Sequence, residues 1–344
     1  METVTIMPEV LGIDIGGANL KAANTRGEAV ILPFPLWKQP DKLAGGLMEL
    51  LVRLPHKGPV AITMTGELCD CFESRSTGVR HILKAAVEAF KNQPVFVWRN
   101  DARWASTSHA HDDPMPVASA NWLASATYCA RYLPHDSGWF FDLGSTTLDM
   151  IPVDQGKVVS TSRTDLDRLY AGELAYLGAS RTPVCHLLQQ ADLEEKTITL
   201  AAEFFATLDD AMIILGYSPE QQDDRQTADG KPRTRAYALA RMARMACSDL
   251  DELGEANVQL LSEQVIAAFR EKLSGQLQRA QLSSHPWGGI ILAGSGEGIL
   301  AEEVAMLDDT TNPVVSMTGR LGPDVSSALA AYSVAVLLSE RQSK

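Results

Sequence analysis

LGIDIGGANLKAA (residues 11–23) and FFDLGSTTLDMIP (residues 140–152) follow one plan: an apolar run, an aspartate, an apolar residue, then glycine and small residues. Aligned on Asp14 and Asp142, the copies lie 128 residues apart, which is too far for a solenoid unit and suits a duplicated domain. In the first copy Val10 to Ile15 reads as a buried strand and Gly16-Gly17 as a tight turn. Leu20 to Ala23 is then a second strand, and Ala29 to Leu32 a third beyond the turn Thr25-Arg26-Gly27. In the second copy Trp139 to Leu143 and Thr146 to Val153 read as strands around Gly144-Ser145. Val158-Val159 follows the turn Asp154-Gln155-Gly156-Lys157.

Between and beyond these hairpins, strands and helices alternate. A helix is expected from Asp41 to Arg53, with Asp41 as its N-cap and Pro40 outside it. Val60 to Met64 is a buried strand running into Thr65-Gly66-Glu67. Val79 to Phe90 carries a helical apolar stripe, Val95 to Trp98 is a strand ending at Asn100-Asp101, and Trp122 to Leu133 reads as a helix. From Asp165 to Ser284 the pattern is mainly helical, with runs at Thr199 to Leu215, Arg235 to Leu250 and Val258 to Leu282. Pro219 to Thr234 is a polar loop between them. Gly289 to Leu292 and Val314 to Met317 are the last strands, and Asp324 is expected to cap a closing helix through Leu338.

The chain's 344 residues exceed the usual single-domain length, and 45% apolar with 21% charged residues is ordinary for a globular protein. A formal net charge of −13 argues against a nucleic-acid or anionic-membrane partner, while leaving room for a small anion in a local pocket. Met1 to Val10 has no basic segment ahead of an apolar run, so a signal peptide is not expected. Ala328 to Leu338 is too short to span a bilayer. Five scattered cysteines fit reduced thiols in a cytoplasmic protein, and Cys69 and Cys71 are too close for a CxxC pair. The seven histidines show no metal spacing.

Chemistry concentrates in three loops. A carboxylate at the end of a buried strand, followed at once by small residues, lets backbone N–H groups approach a phosphate. Aspartate and phosphate repel one another unless a magnesium ion or water lies between them. Asp14 with Gly16, Gly17 and Asn19, and Asp142 with Gly144, Ser145, Thr146 and Thr147, therefore read as two phosphate loops converging on one Mg2+. Each loop alone is no more than a common hairpin; the matched pair points to function. Gly294-Ser295-Gly296-Glu297 opens a helix after a strand, which suits an anion or nucleotide. It lacks the dinucleotide spacing, and the chain has no P-loop.

The order of the three loops resembles the actin/hexokinase superfamily. That resemblance implies an α/β, two-lobed, duplicated ribonuclease H-like fold. The first lobe would span residues 1–136 plus 325–344. The second would span 137–324, with a mainly helical insertion at about 165–285. A narrower resemblance rests on LGIDIGGANLKAA, TGELCDCFESRSTGV (65–79), FDLGSTTLDMIPV (141–153), TDLDRLYAGELAYLGASRTPV (164–184), TADGKPRTRAYALARMAR (227–244) and ILAGSGEGIL (291–300). These stretches look like the hydantoinase/oxoprolinase-related proteins of the tetrahydromethanopterin-linked one-carbon pathway. The family implies a transferase making a C1 carrier of the methanofuran type, joining an aminomethylfuran diphosphate to a tyramine-like phenol and expelling pyrophosphate.

On that resemblance the loops hold a diphosphate with magnesium at Asp14 and Asp142, and Lys21 adds a positive charge. Glu67 or Glu173 would take the phenolic proton, each having an ion pair to Arg75 or Arg181 as its alternative role. Thr65, Gly66, Asp165, Arg168 and Arg181 would contact the second substrate. Asn100 and Asp101 sit at a strand end, where ligands bind in α/β sheets. Lys231, Arg233 and Arg235 are candidates for a lid. The partner expected is a small phosphorylated substrate, and a homo-oligomer is compatible with the sequence. ATP is allowed but not favoured. The competing readings are an ATP-using kinase or oxoprolinase-like amidohydrolase, and a nucleotide-binding scaffold without turnover.

Overall fold

The two aspartate hairpins become the centres of two sheets. In the computed structural model, which describes residues 8–194, 196–281, 283, 285–307 and 312–343, the first sheet is built from six strands. They are β1 (Leu11–Ile15), β2 (Asn19–Asn24), β3 (Ala29–Pro33), β4 (Val60–Met64), β5 (Val95–Trp98) and β6 (Trp104–Ser106), in the spatial order β3-β2-β1-β4-β5-β6. Every residue of β1 is buried, as its unbroken apolar run around Asp14 requires. Asp14 lies opposite Lys21 on antiparallel β2 and opposite Thr63 on parallel β4.

The second sheet repeats this arrangement. It contains β7 (Ser137–Leu143), β8 (Leu148–Asp154), the short β9 (Lys157–Val158) paired to β8, and β10 (Leu174–Ala175). A separate hairpin, β11 (Gln190–Leu193) with β12 (Lys196–Thr199), precedes the last two strands, β13 (Gly289–Ala293) and β14 (Val314–Ser316). The order is β10-β8-β7-β13-β14. Asp142 lies opposite Asp149 on antiparallel β8 and opposite Ala293 on parallel β13, the same placement as Asp14.

An apolar core fills each lobe. Helices Leu43–Arg53 and Arg75–Ala89 cover the first sheet, and the long helix Glu255–Gln281 packs over the second. A third cluster joins them. Helices Asn121–Cys129 and Leu329–Gln342 bring Trp122, Val334 and Leu338 against Phe140, Ile151 and Ile291. The closing helix returns to the first sheet and packs on β1, β2 and β4. The fit is close enough that a Cβ at Gly12 would come within 1.8 Å of the Ala331 carbonyl oxygen.

Several local expectations differ. Asp41 does not cap a helix. It lies in a 3-10 turn, Pro40–Lys42, because Pro40 suits a first-turn position and delays the α-helix to Leu43. Pro323 likewise opens its own short helix, Pro323–Ser327, with Asp324 inside it. Ala328 then breaks the path before Leu329–Gln342, which has no side-chain cap. The segment 165–284 contains strands β10, β11 and β12 as well as helices. Of Thr199 to Leu215 only Leu208–Ile214 is α-helical, since a capping box of Thr207 with Asp210 starts the helix there. The long helix ends at Gln281, and Leu282 and Ser284 lie outside the described residues.

The expected lid residues are tied to their own module: Arg233 pairs with Asp209 (2.5 Å), Arg235 with Glu255 (2.8 Å), and Lys231 lies over Tyr237. Among the described residues no helix is long and apolar enough to cross a membrane.

Candidate functional site

Both aspartate loops close in the same way. The Gly16 N–H donates to the Asn19 carbonyl (3.1 Å), and the Gly144 N–H donates to the Thr147 carbonyl (2.9 Å). The two turns line a single cleft of about 690 Å³ between the sheets, together with Lys21, Gly294 and Ser295. Asp14, Gly16, Gly17, Asn19, Asp142, Gly144, Ser145, Thr146 and Thr147 are thus brought together as the repeat implies.

Charge in this cleft is unevenly compensated. Asp14 is buried with its Oδ1 lacking a partner. Burial lifts its pKa, and Lys21 opposes the rise. Asp142 is raised to about 7, chiefly by burial, then by Asp149, with smaller contributions from Glu297 and Asp14, against Lys21. Asp149 is also raised by burial. Its ion pair with Arg168, which itself reaches Asp165 at 3.5 Å and lies 4.4 Å over the Trp122 ring, opposes that rise.

Among the described residues no group of three or more His, Cys, Asp or Glu side chains is placed to hold an ion. Magnesium does not need one. It is typically held by one or two carboxylates plus substrate phosphates and water, and the buried Asp14 with its idle oxygen beside the half-buried Asp142 fits that donor set.

The second loop is braced from behind. Ala179 N donates to Gly144 O (2.9 Å), and Arg181 N donates to Ser145 O (2.9 Å). A Cβ at Gly178 would strike Ser145 O at 2.3 Å. Gly294 has φ +94°, and a Cβ there would meet Asp142 Oδ1 at 2.4 Å, so only glycine suits the third loop's entry. That loop gives the cleft Gly294 and Ser295. Gly296 packs on Leu143, and the Glu297 carboxylate accepts from Ser316 Oγ, Thr318 N (3.1 Å) and Thr318 Oγ1 (2.7 Å), as a strut between two helices.

The opposite part of the cleft is lined by Thr65, Asp165, Arg168 and Arg181, all expected there, and by residues that local pattern did not reveal. Trp37 lies under the Arg181 guanidinium (5.6 Å), and Trp122, Ser119 and Tyr176 complete the wall. Asp149 also belongs to the cleft, and aligning the two loops would have singled it out, since it occupies the place of Lys21.

Other expected residues fall elsewhere. Gly66 is packed behind the first loop against Leu36 and Ile15. Glu67 is buried behind the wall and pairs with Arg75 (3.0 Å). Glu173 accepts from Ser160 (2.6 Å), and among the described residues neither glutamate pairs with Arg181. Asn100 and Asp101 line a separate cavity of about 310 Å³, where Asn100 donates to the Arg163 carbonyl (2.8 Å) and Asp101 pairs with Arg99 (2.8 Å).

Comparison with known proteins agrees with this architecture. The chain is 32% identical over 342 residues to (4-{4-[2-(gamma-L-glutamylamino)ethyl]phenoxymethyl}furan-2-yl)methanamine synthase of Methanocaldococcus jannaschii, covering 97% of this chain and 99% of that one. A protein of the same name from Methanococcus vannielii is 31% identical over 201 residues, covering 57% of this chain and 88% of that one. A nucleotide-free structure of acetone carboxylase superposes with a TM-score of 0.53 at 12% identity, over 95% of this chain and 70% of that one, which supports the fold alone. The fold is the two-lobed actin/hexokinase-like one. Residues 59–340 match the hydantoinase/oxoprolinase model, and with that match the chain belongs to the hydantoinase/oxoprolinase family.

Proposed function

We propose that this chain is a transferase in the biosynthesis of a methanofuran-type C1 carrier. It would join the methylene carbon of an aminomethylfuran diphosphate to the phenol oxygen of a glutamyl-tyramine. The bond from that carbon to the diphosphate breaks, with its electron pair leaving on pyrophosphate, while the ether bond forms and the phenol proton passes to a base. The observation that carries this reading is the matched pair of carboxylate-ended loops lining one cleft. The name of the relative with 32% identity describes the phenoxymethyl-furan ether such a step would make.

Backbone N–H groups of the two turns, with Thr146 and Thr147 hydroxyls, would hold the diphosphate, and Lys21 would add a point charge. Magnesium bound at Asp14 and Asp142 would neutralise the leaving group. Arg168, Asp165, Arg181 and Tyr176 line the part of the cleft left for the acceptor. Of the two glutamates suggested as base, Glu67 stands against the cleft through Ser119, and Glu173 is engaged by Ser160.

The competing reading is an ATP-using enzyme, favoured by the third loop at the N-terminus of helix Glu297–Leu307. Incubation with both substrates and magnesium, with and without ATP, separates the two. The ether, identified by mass, with equimolar pyrophosphate and no ATP requirement is the expected result. Phosphorylated product or ATP hydrolysis without ether would overturn the reading.

A further inference from the structure

Behind the cleft wall lies a carboxylate that the fold does not account for. Glu67 is 1% exposed. Its Oε1 accepts from Ser119 Oγ (2.8 Å) and Arg75 Nη2 (3.0 Å), while its Oε2 is buried without a partner. An idle buried carboxylate oxygen is unfavourable and calls for a reason beyond packing. Ser119 is unusual too: it lines the cleft, is 4% exposed, and has φ +45°, a left-handed backbone that serine rarely adopts.

A hydroxyl donates one hydrogen bond and accepts two. Ser119 donates to Glu67 and accepts from Arg75 Nη2 (2.7 Å), which leaves one lone pair on the hydroxyl of a residue that lines the cleft. Arg75 also reaches Asp165 Oδ2 of the opposite lobe (3.7 Å), so the cluster touches both walls.

From this geometry we infer that Ser119 is a catalytic proton relay, accepting the phenol proton of the acceptor substrate while passing its own to Glu67. The inference rests on the transferase reading and assigns how its nucleophile is activated. As the ether bond forms, the phenol O–H bond breaks and its proton moves to Ser119 Oγ. The proton of Ser119 moves to the Glu67 carboxylate, and the electron pair of the broken carbon–oxygen bond leaves with the diphosphate. Glu67 ends the step with one added proton, which it returns to water after the product departs.

The environment suits that task. Burial raises the Glu67 pKa above the usual carboxylate range, against the opposing effects of Ser119 and Arg75, so it is a stronger base than an exposed glutamate. The other charged or titratable groups around this cluster are Cys69 on the same segment and Asp165, Arg168 and Tyr176 across the cleft.

The test compares wild type with Ser119→Gly, which removes the hydroxyl and relieves the left-handed backbone, and with Glu67→Gln. Turnover is followed against pH using tyramine-type acceptors with and without ring fluorination, which lowers the phenol pKa. In the wild type the rate falls at low pH as Glu67 takes up a proton. Both variants are expected to lose about 100-fold near neutral pH. Their rates should then climb about tenfold per pH unit toward the phenol's own pKa, roughly 10. The fluorinated acceptor should recover most of the loss, and magnesium-dependent pyrophosphate binding should be unchanged. Variants with the wild-type rate and pH profile would overturn the relay and leave the transferase standing. A loss that fluorination does not recover, with the profile unmoved, marks a structural role and also overturns it. No ether from the wild type would overturn the transferase reading and the relay together.

Discussion

The hairpins ending at Asp14 and Asp142 have the same register and the same loop hydrogen bond, yet carry opposite charges at the paired position. Asp14 faces Lys21, and Asp142 faces Asp149. Duplication therefore kept the backbone that presents two turns to one cleft, while the side chains diverged. The first hairpin is an acid beside a base. In the second, two half-buried acids face each other with Arg168 paired to Asp149 alone of the two, and Asp142 rises to about 7 through desolvation and the neighbouring Asp149. With its pKa pushed up to about 7, Asp142 changes charge near neutral pH, and a cation bound beside it would favour the ionised form.

The largest effect should come from removing the cation that makes the second hairpin tolerable. Arg168 is 2% exposed and serves both Asp149 and Asp165. Arg168→Gln should destabilise by about 3 kcal/mol in urea unfolding, because it removes the buried partner of two half-buried carboxylates. The counterpart substitution at Lys21 should cost far less stability, which is the contrast between the two hairpins in its simplest form.

The pH dependence comes next. A carboxyl raised from 3.8 to about 7 on folding binds its proton more tightly in the folded state. Below pH 3.8 both states hold the proton and nothing is lost. Stability then declines as pH rises through that interval, and the full deficit is present above about 7. Three units correspond to roughly 4 kcal/mol at most. Metal-free Asp142→Asn should therefore be more stable than wild type at pH 8 and about equal to it at pH 4, measured by thermal unfolding at both values. A difference independent of pH would show that Asp142 does not titrate in this interval.

Backbone substitutions give a smaller split. Gly294→Ala forces a side chain into a left-handed residue against Asp142 and Leu143, and should cost about 2–3 kcal/mol. Gly144→Ala meets only Thr147 O at 3.6 Å and should cost less than about 1 kcal/mol. The smallest effect is on binding. Lys21→Met should weaken magnesium pyrophosphate about tenfold in calorimetry while leaving the ion pair of Arg168 with Asp149 in place.

What the sequence made legible was local and periodic. Buried β1 and β7 each end in Asp-apolar-Gly, and that pattern alone located both turns and most of the cleft floor. Charge at the paired position was also readable, and aligning Lys21 with Asp149 needed only the repeat. The β11–β12 hairpin was not, because its two four-residue strands are too short to announce themselves inside a segment that reads as mainly helical. The outcome turns on distant contacts, such as the Asp192 N–H donating to Gln264 of the long helix and Gln264 donating back to the Asp192 carbonyl. Spacing along the chain did not single out Trp37, Ser119 or Trp122 either. They reach the cleft from separate segments, and no spacing along the chain announces that convergence. Asp324 and Asp41 show the opposite error, where a good cap residue sits beside a proline that shifts the helix start.

The claim that matters most is that the two loops together take a diphosphate with magnesium. Calorimetry on wild type, Asp14→Asn and Asp142→Asn, with magnesium pyrophosphate and magnesium ATP, tests it directly. The account predicts that wild type binds pyrophosphate tightly and gains nothing from adenosine, and that each variant keeps its fold while losing at least about 100-fold in affinity. Strong preference for ATP, or affinity unchanged in both variants, would contradict it.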